Sequence, residues 1–306
     1  MKIISNIIKG MRKKMIKRSS LVIILVLLGV VFSSCSLGSN DTKVSGFSIG
    51  RGSSSSGGSG VDLEFAEGNP TSEMFKAQPY TFAFVFKNNQ EHEINDLEIR
   101  PKGFDYSYVQ GLFTSHVVQK IPKATKQTGP GIYAGLVVQG VRVDGFVGDY
   151  QFNPVFDYCY SAKTQFREQI CVPSIENKCD TKIDTSTTQN GPLSVNIDHV
   201  NSLANDVRVD FTVNNKGSGK IVNTCFNTKE YANAYTLSSV KLGSATGNCE
   251  AISGYQILNG QSKFYCTFQR TSEDSYASQL VVVLDYKYEQ EMQKKIVVRD
   301  LTQGYN

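Results

Sequence analysis

A strict alternation of apolar and polar residues recurs along the chain and predicts β-strands with one buried face. In the range Asp206–Asn214 the apolar members are Val207, Val209, Phe211 and Val213. The range Tyr80–Lys87 carries Phe82, Phe84 and Phe86 with the same spacing. Ser278–Tyr288 is more continuously apolar, which is typical of a strand covered on both faces. Further segments with strand character are Val61–Ala66, Asp96–Arg100, Ile132–Gln139, Leu193–Val200, Thr236–Leu242, Lys263–Gln269 and Lys294–Arg299.

These segments are short, and polar or glycine-rich turns such as Asn215–Gly219 separate them. No stretch longer than about ten residues has helical spacing. The pattern therefore predicts an all-β fold of antiparallel β-sandwiches, and one such sandwich takes about 100 residues. The polar stretch Glu176–Gly191 is the predicted boundary between two tandem sandwiches, 61–178 and 179–306. A single large sandwich or jelly roll is the alternative architecture.

The first 35 residues have a different pattern. Residues 1–34 hold seven basic residues and no acidic one, and Leu21–Phe32 is an uninterrupted apolar run. As a helix this run would be about 18 Å long, shorter than the roughly 30 Å hydrocarbon core of a bilayer, so the layout indicates an export signal. Small residues followed by Cys35 resemble a lipoprotein signal with a lipid on Cys35, although Phe32 departs from that pattern. An ordinary cleaved signal and an uncleaved anchor helix are the alternatives.

Residues 36–60 include the run RGSSSSGGSG and are predicted to be a flexible tether. A signal or anchor (1–35) followed by such a tether predicts a body at the extracellular face of the cytoplasmic membrane, on the cell surface. Within this region Asn40-Asp41-Thr42 is a glycosylation sequon, and Met11 is an alternative start of translation.

The remaining cysteines are even in number, which in an exported protein predicts disulfides. They are Cys159, Cys171, Cys179, Cys225, Cys249 and Cys266. Their spacing contains no short Cys-x-x-Cys unit and no accompanying histidine pair, which argues against zinc. Cys159 and Cys171 are predicted to face each other across a hairpin, and so are Cys249 and Cys266. The predicted pairing is then 159–171, 179–225 and 249–266, with Cys171–Cys179 as the competing tight loop.

Several sequence blocks carry a resemblance to a known group of proteins. The blocks are GVDLEFAEGNP, PYTFAFVFKNN and INDLEIRPKGFD, followed by PLSVNIDHVNS and VRVDFTVNNKGSGKIV. They resemble exported surface proteins encoded in genomes of small archaea, and the last two blocks are similar to cell-adhesion-related immunoglobulin-like domains. The resemblance spans most of residues 61–300. It implies a surface protein with two tandem immunoglobulin-like domains, and it assigns no functional residues.

Charge and motifs exclude several classes of function. The chain carries a net charge of +4, but seven of its 32 basic residues lie in the first 34 positions, so the rest is slightly acidic. A body without excess positive charge lacks the electrostatic attraction on which nucleic-acid binding depends. His92, His116 and His199 form no metal-binding or zincin motif, and Gly217–Lys220 lacks the remainder of a phosphate-binding loop. We therefore expect no nucleic-acid partner, no cofactor, no metal site and no enzymatic activity.

Aromatic residues supply the best candidates for recognition. Clusters at predicted strand ends indicate an exposed binding rim, with core packing as the alternative; the residues are Phe104, Tyr106, Tyr108, Tyr158 and Tyr160. The predicted function is a membrane-tethered, non-catalytic surface protein in adhesion, envelope architecture or ligand binding, with an envelope protein or glycan as partner. The alternative is a structural subunit of a surface layer or filament, joined by strand addition along Leu280–Tyr288. An extracellular hydrolase is the third class.

Overall fold

The computed structural model describes residues 60–176, 178–182, 187–227, 234–252, 255–258 and 260–302. The predicted signal, Cys35 and all but the last residue of the predicted tether lie outside these ranges. Within them the chain forms β-strands and no helix, which confirms the all-β fold class. None of the described ranges holds a helix that is both long enough and apolar enough to cross a membrane.

Nineteen strands are described. In the first half they are β1 (Val61–Phe65), β2 (Glu73–Phe75), β3 (Tyr80–Asn88), β4 (Leu97–Lys102), β5 (Val109–Gln110), β6 (His116–Val118), β7 (Gly131–Val143), β8 (Tyr150–Phe152) and β9 (Val155–Val172). In the second half they are β10 (Thr188–Asn190), β11 (Leu193–Ser202), β12 (Asp206–Asn215), β13 (Lys220–Val222), β14 (Thr236–Leu242), β15 (Ala245–Thr246), β16 (Asn248–Ala251), β17 (Gln261–Gln269), β18 (Tyr276–Gln293) and β19 (Ile296–Arg299).

The strands form four sheets, named here by number. Sheet 1 has the order β1-β3-β7-β5, and sheet 2 has the order β15-β14-β18-β9-β4-β6, with β10 beside β9 and β13 beside β18. Sheet 3 has the order β11-β12-β17-β16, and sheet 4 has the order β2-β19-β8. All pairs described are antiparallel except β19 with β2, which run parallel. The fold is β-sandwich-like.

The long strands β9 and β18 dominate sheet 2. They pair antiparallel over 18 residues, from Val155 opposite Gln293 to Val172 opposite Tyr276. On its other side β18 pairs with β14 and β13. The segment Leu280–Tyr288 is therefore not an edge, and strand addition along it is excluded because both sides are already hydrogen-bonded.

Contacts cross residue 178, where the sequence predicts a domain boundary. The β9–β18 ladder joins strands from the two sides of it, and β19 pairs with β2 and β8. A division of the chain into 61–178 and 179–306 would place the paired strands of these ladders in different domains. The two-domain division itself stays a prediction.

The core lies between the sheets and is rich in aromatic side chains. Phe84 of sheet 1 meets Phe156 of sheet 2, with ring centroids 5.0 Å apart. In sheet 3, Phe211 and Phe264 stack at 4.6 Å. Sheets 2 and 3 are joined at Leu193, whose backbone N–H donates to the Tyr286 hydroxyl at 3.2 Å. The alternating phenylalanines and valines predicted to face inward are all buried.

All six cysteines of the body form disulfides, but two of the three predicted pairs are wrong. The bridges are Cys159–Cys225, Cys171–Cys179 and Cys249–Cys266. The predicted hairpin between Cys159 and Cys171 does not exist, since both lie on the single strand β9. At about 3.3 Å per residue, cysteines 12 positions apart on one strand are roughly 40 Å apart and cannot bond.

The third pair is confirmed. Cys249 and Cys266 are cross-strand neighbours on β16 and β17, with Cα atoms 4.0 Å apart. Three disulfides are compatible with an oxidising, extracellular environment.

Candidate functional site

Three of the predicted rim residues lie together at one end of the body. Phe104, Tyr106 and Tyr108 belong to the loop 103–108, which connects β4 to β5. They meet residues 144–150, which lead from β7 into β8. That segment is in turn bonded to Lys76, the residue after β2. We call this surface the aromatic rim; it comprises Phe75, Phe104, Tyr106, Tyr108, Phe146, Val147, Tyr150 and Leu301.

The loop 103–108 holds its aromatic side chains in place through local hydrogen bonds. Asp105 accepts the backbone N–H of Ser107 on its side chain at 2.8 Å, and this bond lowers the pKa of the carboxyl. The Tyr106 hydroxyl donates to the Pro101 carbonyl at 2.9 Å. The rings of Phe104 and Tyr106 are 4.7 Å apart, so the two side chains form one aromatic unit.

The segment 144–150 packs against the same loop. The backbone N–H of Asp144 donates to the Tyr108 carbonyl at 2.8 Å. Tyr150 lies between the rings of Tyr108 and Phe146, at 6.0 and 5.2 Å. A continuous row of aromatic rings therefore links the two loops.

Charged side chains fix the base of the rim. Lys76 donates to the Phe146 carbonyl at 2.5 Å and pairs with Asp300 at 2.9 Å. Hydrogen bonds from Thr302 and Lys76 hold the pKa of Asp300 well below its usual range. Arg299 binds Glu73 at 2.7 Å and also pairs with Asp149. The segments around residues 75, 149 and 300 are thus tied together, although they are far apart in sequence.

The outer surface of the rim is apolar and exposed. Val147 is 85% exposed, Leu301 69%, Tyr106 46% and Phe75 38%. These four are among eleven large hydrophobic side chains exposed in the described part of the chain, so over a third of them share this one end. Aromatic and apolar side chains on a fixed polar base are typical of protein recognition surfaces.

The structure separates the other two predicted rim residues from this surface. Tyr158 and Tyr160 are buried on β9, so the packing interpretation holds for both. The Val61 N–H donates to the Tyr160 hydroxyl at 2.9 Å, and the Tyr158 hydroxyl donates to the Val61 carbonyl at 3.2 Å. Burial raises the pKa of both phenols. These hydroxyls bind the first strand of the body and are not available to a partner.

Sequence reasoning missed Phe75, Phe146, Val147, Tyr150 and Leu301 as members of the rim. Phe75 and Tyr150 lie in strands of three residues, which are too short for a periodic signal. Val147 could have been recognised from the sequence, because it lies between Gly145 and Gly148, and two glycines this close predict a turn. In the structure both glycines have positive φ. An apolar residue at the tip of such a turn is unusual enough to mark a surface.

The histidines lie apart from one another. His92 follows β3, His116 lies in β6 and His199 in β11. Burial lowers the pKa of His92. Among the residues that the structure describes, no group of three or more His, Cys, Asp or Glu side chains is placed to hold a metal ion.

The chain was also compared with known proteins. No family model matches it, and no curated protein matches it.

Proposed function

We propose that the chain is a membrane-tethered surface protein that acts without catalysis, and that the aromatic rim is its binding surface. The observation that carries this proposal is the grouping of four exposed apolar side chains, Phe75, Tyr106, Val147 and Leu301, on one end of the body. The ion pairs of Lys76 and Arg299 hold segments that carry this surface, so that little conformational entropy is lost when a partner binds. The rim therefore suits adhesion, envelope architecture or ligand capture through contact with another envelope protein.

The proposed location is supported by two independent features. The basic and apolar residues of 1–35 have the layout of an export signal, with Cys35 as the proposed lipidation site. The disulfides Cys159–Cys225, Cys171–Cys179 and Cys249–Cys266 suit an oxidising compartment.

The finer architecture is part of the same proposal. Sheet 1 lies before the predicted boundary and sheet 3 after it, with four strands each, which supports two tandem immunoglobulin-like units that share sheet 2. Sheet 2 supplies the opposing layer for sheets 1 and 3. Its Phe156 contacts Phe84 of sheet 1, and the hydroxyl of its Tyr286 accepts the backbone N–H of Leu193 of sheet 3.

The test is a comparison of two matched double variants of the full-length chain. Tyr106→Ser with Val147→Ser removes apolar surface from the rim. Ile132→Ser with Val137→Ser removes apolar side chains that are 57% and 47% exposed on β7, away from the rim. Each chain is cross-linked to the envelope of its source cells, and the bound proteins are identified.

We expect a partner that the wild type and the β7 variant both capture and that the rim variant loses. Removal of two apolar contacts should weaken binding at least about 10-fold, since a side chain near the centre of an interface contributes roughly 1–2 kcal/mol or more. If the rim variant captures the same proteins in the same amounts, the rim is not the binding surface.

A further inference from the structure

The outer face of sheet 3 presents polar side chains in register across all four strands. His199 of β11 lies opposite Asp210 of β12, which lies opposite Tyr265 of β17, which in turn lies opposite Glu250 of β16. In the neighbouring row Thr212 lies opposite Lys263. Directly opposed residues have Cβ atoms about 5 Å apart, so these side chains form one compact polar array.

A β-bulge adds a further carboxylate to this array. The register of β11 against β12 shifts between Ile197 and His199, so that Asp198 is the extra residue. The Thr212 hydroxyl donates to Asp198 Oδ2 at 2.6 Å. Bulges of this kind re-aim a side chain and occur next to functional sites.

Arg208 is held rigidly on the same face. Its Nε and Nη2 donate to Asp210 Oδ1 at 3.0 and 2.7 Å, and its guanidinium lies 3.9 Å from the centroid of the Tyr265 ring. The Tyr265 hydroxyl is itself bonded to Glu250. Arg208 Nη1 makes no hydrogen bond to any described residue, so its two N–H groups remain free to donate.

A cavity of about 700 Å³ is lined by four side chains described above, Asp198, His199, Arg208 and Asp210. Its lining also includes Lys263, which makes no ion pair with a described residue, and Ile252, an isoleucine that is 64% exposed. The volume falls within the roughly 300–1,000 Å³ of ligand pockets, which combine apolar walls with a few polar groups. The cavity belongs to sheet 3, whereas the aromatic rim is built from segments around sheets 1 and 4.

We propose that this cavity binds a short neutral saccharide. A sugar hydroxyl both donates and accepts hydrogen bonds, and the lining offers a partner for each. The Asp198 carboxylate accepts, and Lys263 and Arg208 Nη1 donate. Ile252 supplies an apolar contact for the C–H face of a sugar ring. Charges of both signs alternate across the array, so an anionic ligand gains no net attraction there.

The experiment titrates the full-length chain with three neutral probes, cellotriose, maltotriose and α-1,6-linked mannotriose, and with trigalacturonate as the charged comparison. Heat is measured up to about 10 mM ligand, which saturates a site with a Kd near 1 mM. We expect at least one neutral trisaccharide to bind, and trigalacturonate to bind more weakly.

Two variants locate the binding. Asp198→Ala removes the acceptor and Lys263→Ala removes a donor, and each should raise the Kd about 10-fold, since a hydrogen bond to a charged group is lost. Asp274→Ala and Lys241→Ala remove exposed side chains of the same types from other parts of the surface and should leave the Kd unchanged.

Urea unfolding of each variant shows whether it is folded. The proposal is wrong if no neutral trisaccharide binds, if trigalacturonate binds more tightly, or if folded Asp198→Ala and Lys263→Ala bind as the wild type does. Failure of the rim experiment leaves this result unaffected, because the variants do not overlap.

Discussion

Replacement of Tyr288 by phenylalanine should make the chain less stable at neutral pH and less sensitive to alkali. The Tyr288 hydroxyl accepts the Gly219 N–H at 2.9 Å and donates to Asn215 Oδ1 at 3.1 Å, and the side chain is fully buried. The variant loses both bonds and leaves the Gly219 N–H without this partner. At about 1 kcal/mol for each bond, we expect the free energy of unfolding at pH 7 to fall by about 2 kcal/mol.

The pH dependence follows from the same burial. Burial raises the pKa of Tyr288 to about 12, whereas a phenol in the unfolded chain titrates near 10. The stabilising contribution of the neutral phenol is therefore fully present below pH 10 and is lost as the pH rises toward 12. A difference of about two pKa units corresponds to roughly 2.7 kcal/mol at 1.36 kcal/mol per unit, which is enough to cancel the advantage of the wild type.

The assay is equilibrium unfolding in urea, followed by circular dichroism, at pH about 8 and about 11.5. Tyr133→Phe is the matched control, because the Tyr133 hydroxyl makes no hydrogen bond to a described residue; we expect it to change stability by less than about 0.5 kcal/mol. The reasoning is refuted if the difference between wild type and Tyr288→Phe is the same at both pH values, or absent at the lower one.

Three further predictions concern the core, the bridges and the long ladder. Phe84→Ala, which empties the contact with Phe65 and Phe156, should lower the free energy of unfolding by about 3–5 kcal/mol, measured by urea unfolding, and a loss below about 1 kcal/mol would contradict this packing. Digestion without reduction, followed by mass spectrometry, should yield linked peptides for Cys159–Cys225, Cys171–Cys179 and Cys249–Cys266, and a 159–171 peptide would overturn the continuous strand β9. Residues 179–306 expressed alone lack β9, so β18 loses its 18-residue partner; we expect no cooperative thermal transition, and a sharp one would favour two independent domains.

The strands with strict alternation could be predicted from sequence, whereas the long strand β9 could not. β3 and β12 extend from Tyr80 and Asp206 as predicted, because buried side chains alternate with partly exposed ones over most of each strand. The sequence predicts a hairpin within β9 because the middle of this strand, Ser161–Gln169, is mostly polar. The structure explains this composition: the strand continues through the middle of sheet 2 while alternate side chains point to solvent. Local polarity alone does not distinguish such a strand from a loop.

The aromatic rim, too, could be predicted only in part from local sequence. Phe104, Tyr106 and Tyr108 are adjacent in sequence and could be recognised as one cluster. Phe75 and Val147 belong to other segments, which reach the same end of the body through pairings between distant strands, such as β19 with β2. Which segments pair is a property of the whole sheet, and no local pattern reports it.

The two tyrosine hydroxyls at Val61 also determine how the body bears mechanical load. Any tension carried by the chain before residue 60 reaches the body at the start of β1, a five-residue strand at the edge of sheet 1. Tyr160 and Tyr158 bind the N–H and the carbonyl of Val61, so that pull passes directly to β9 in the interior of sheet 2. A side chain at Gly60 would meet the Tyr160 hydroxyl at 2.6 Å and disturb these two hydrogen bonds. With both bonds in place, the end of β1 is held to β9 as well as to β3. The first strand therefore resists separation from its sheet, and the body can transmit force without unfolding from its first residue.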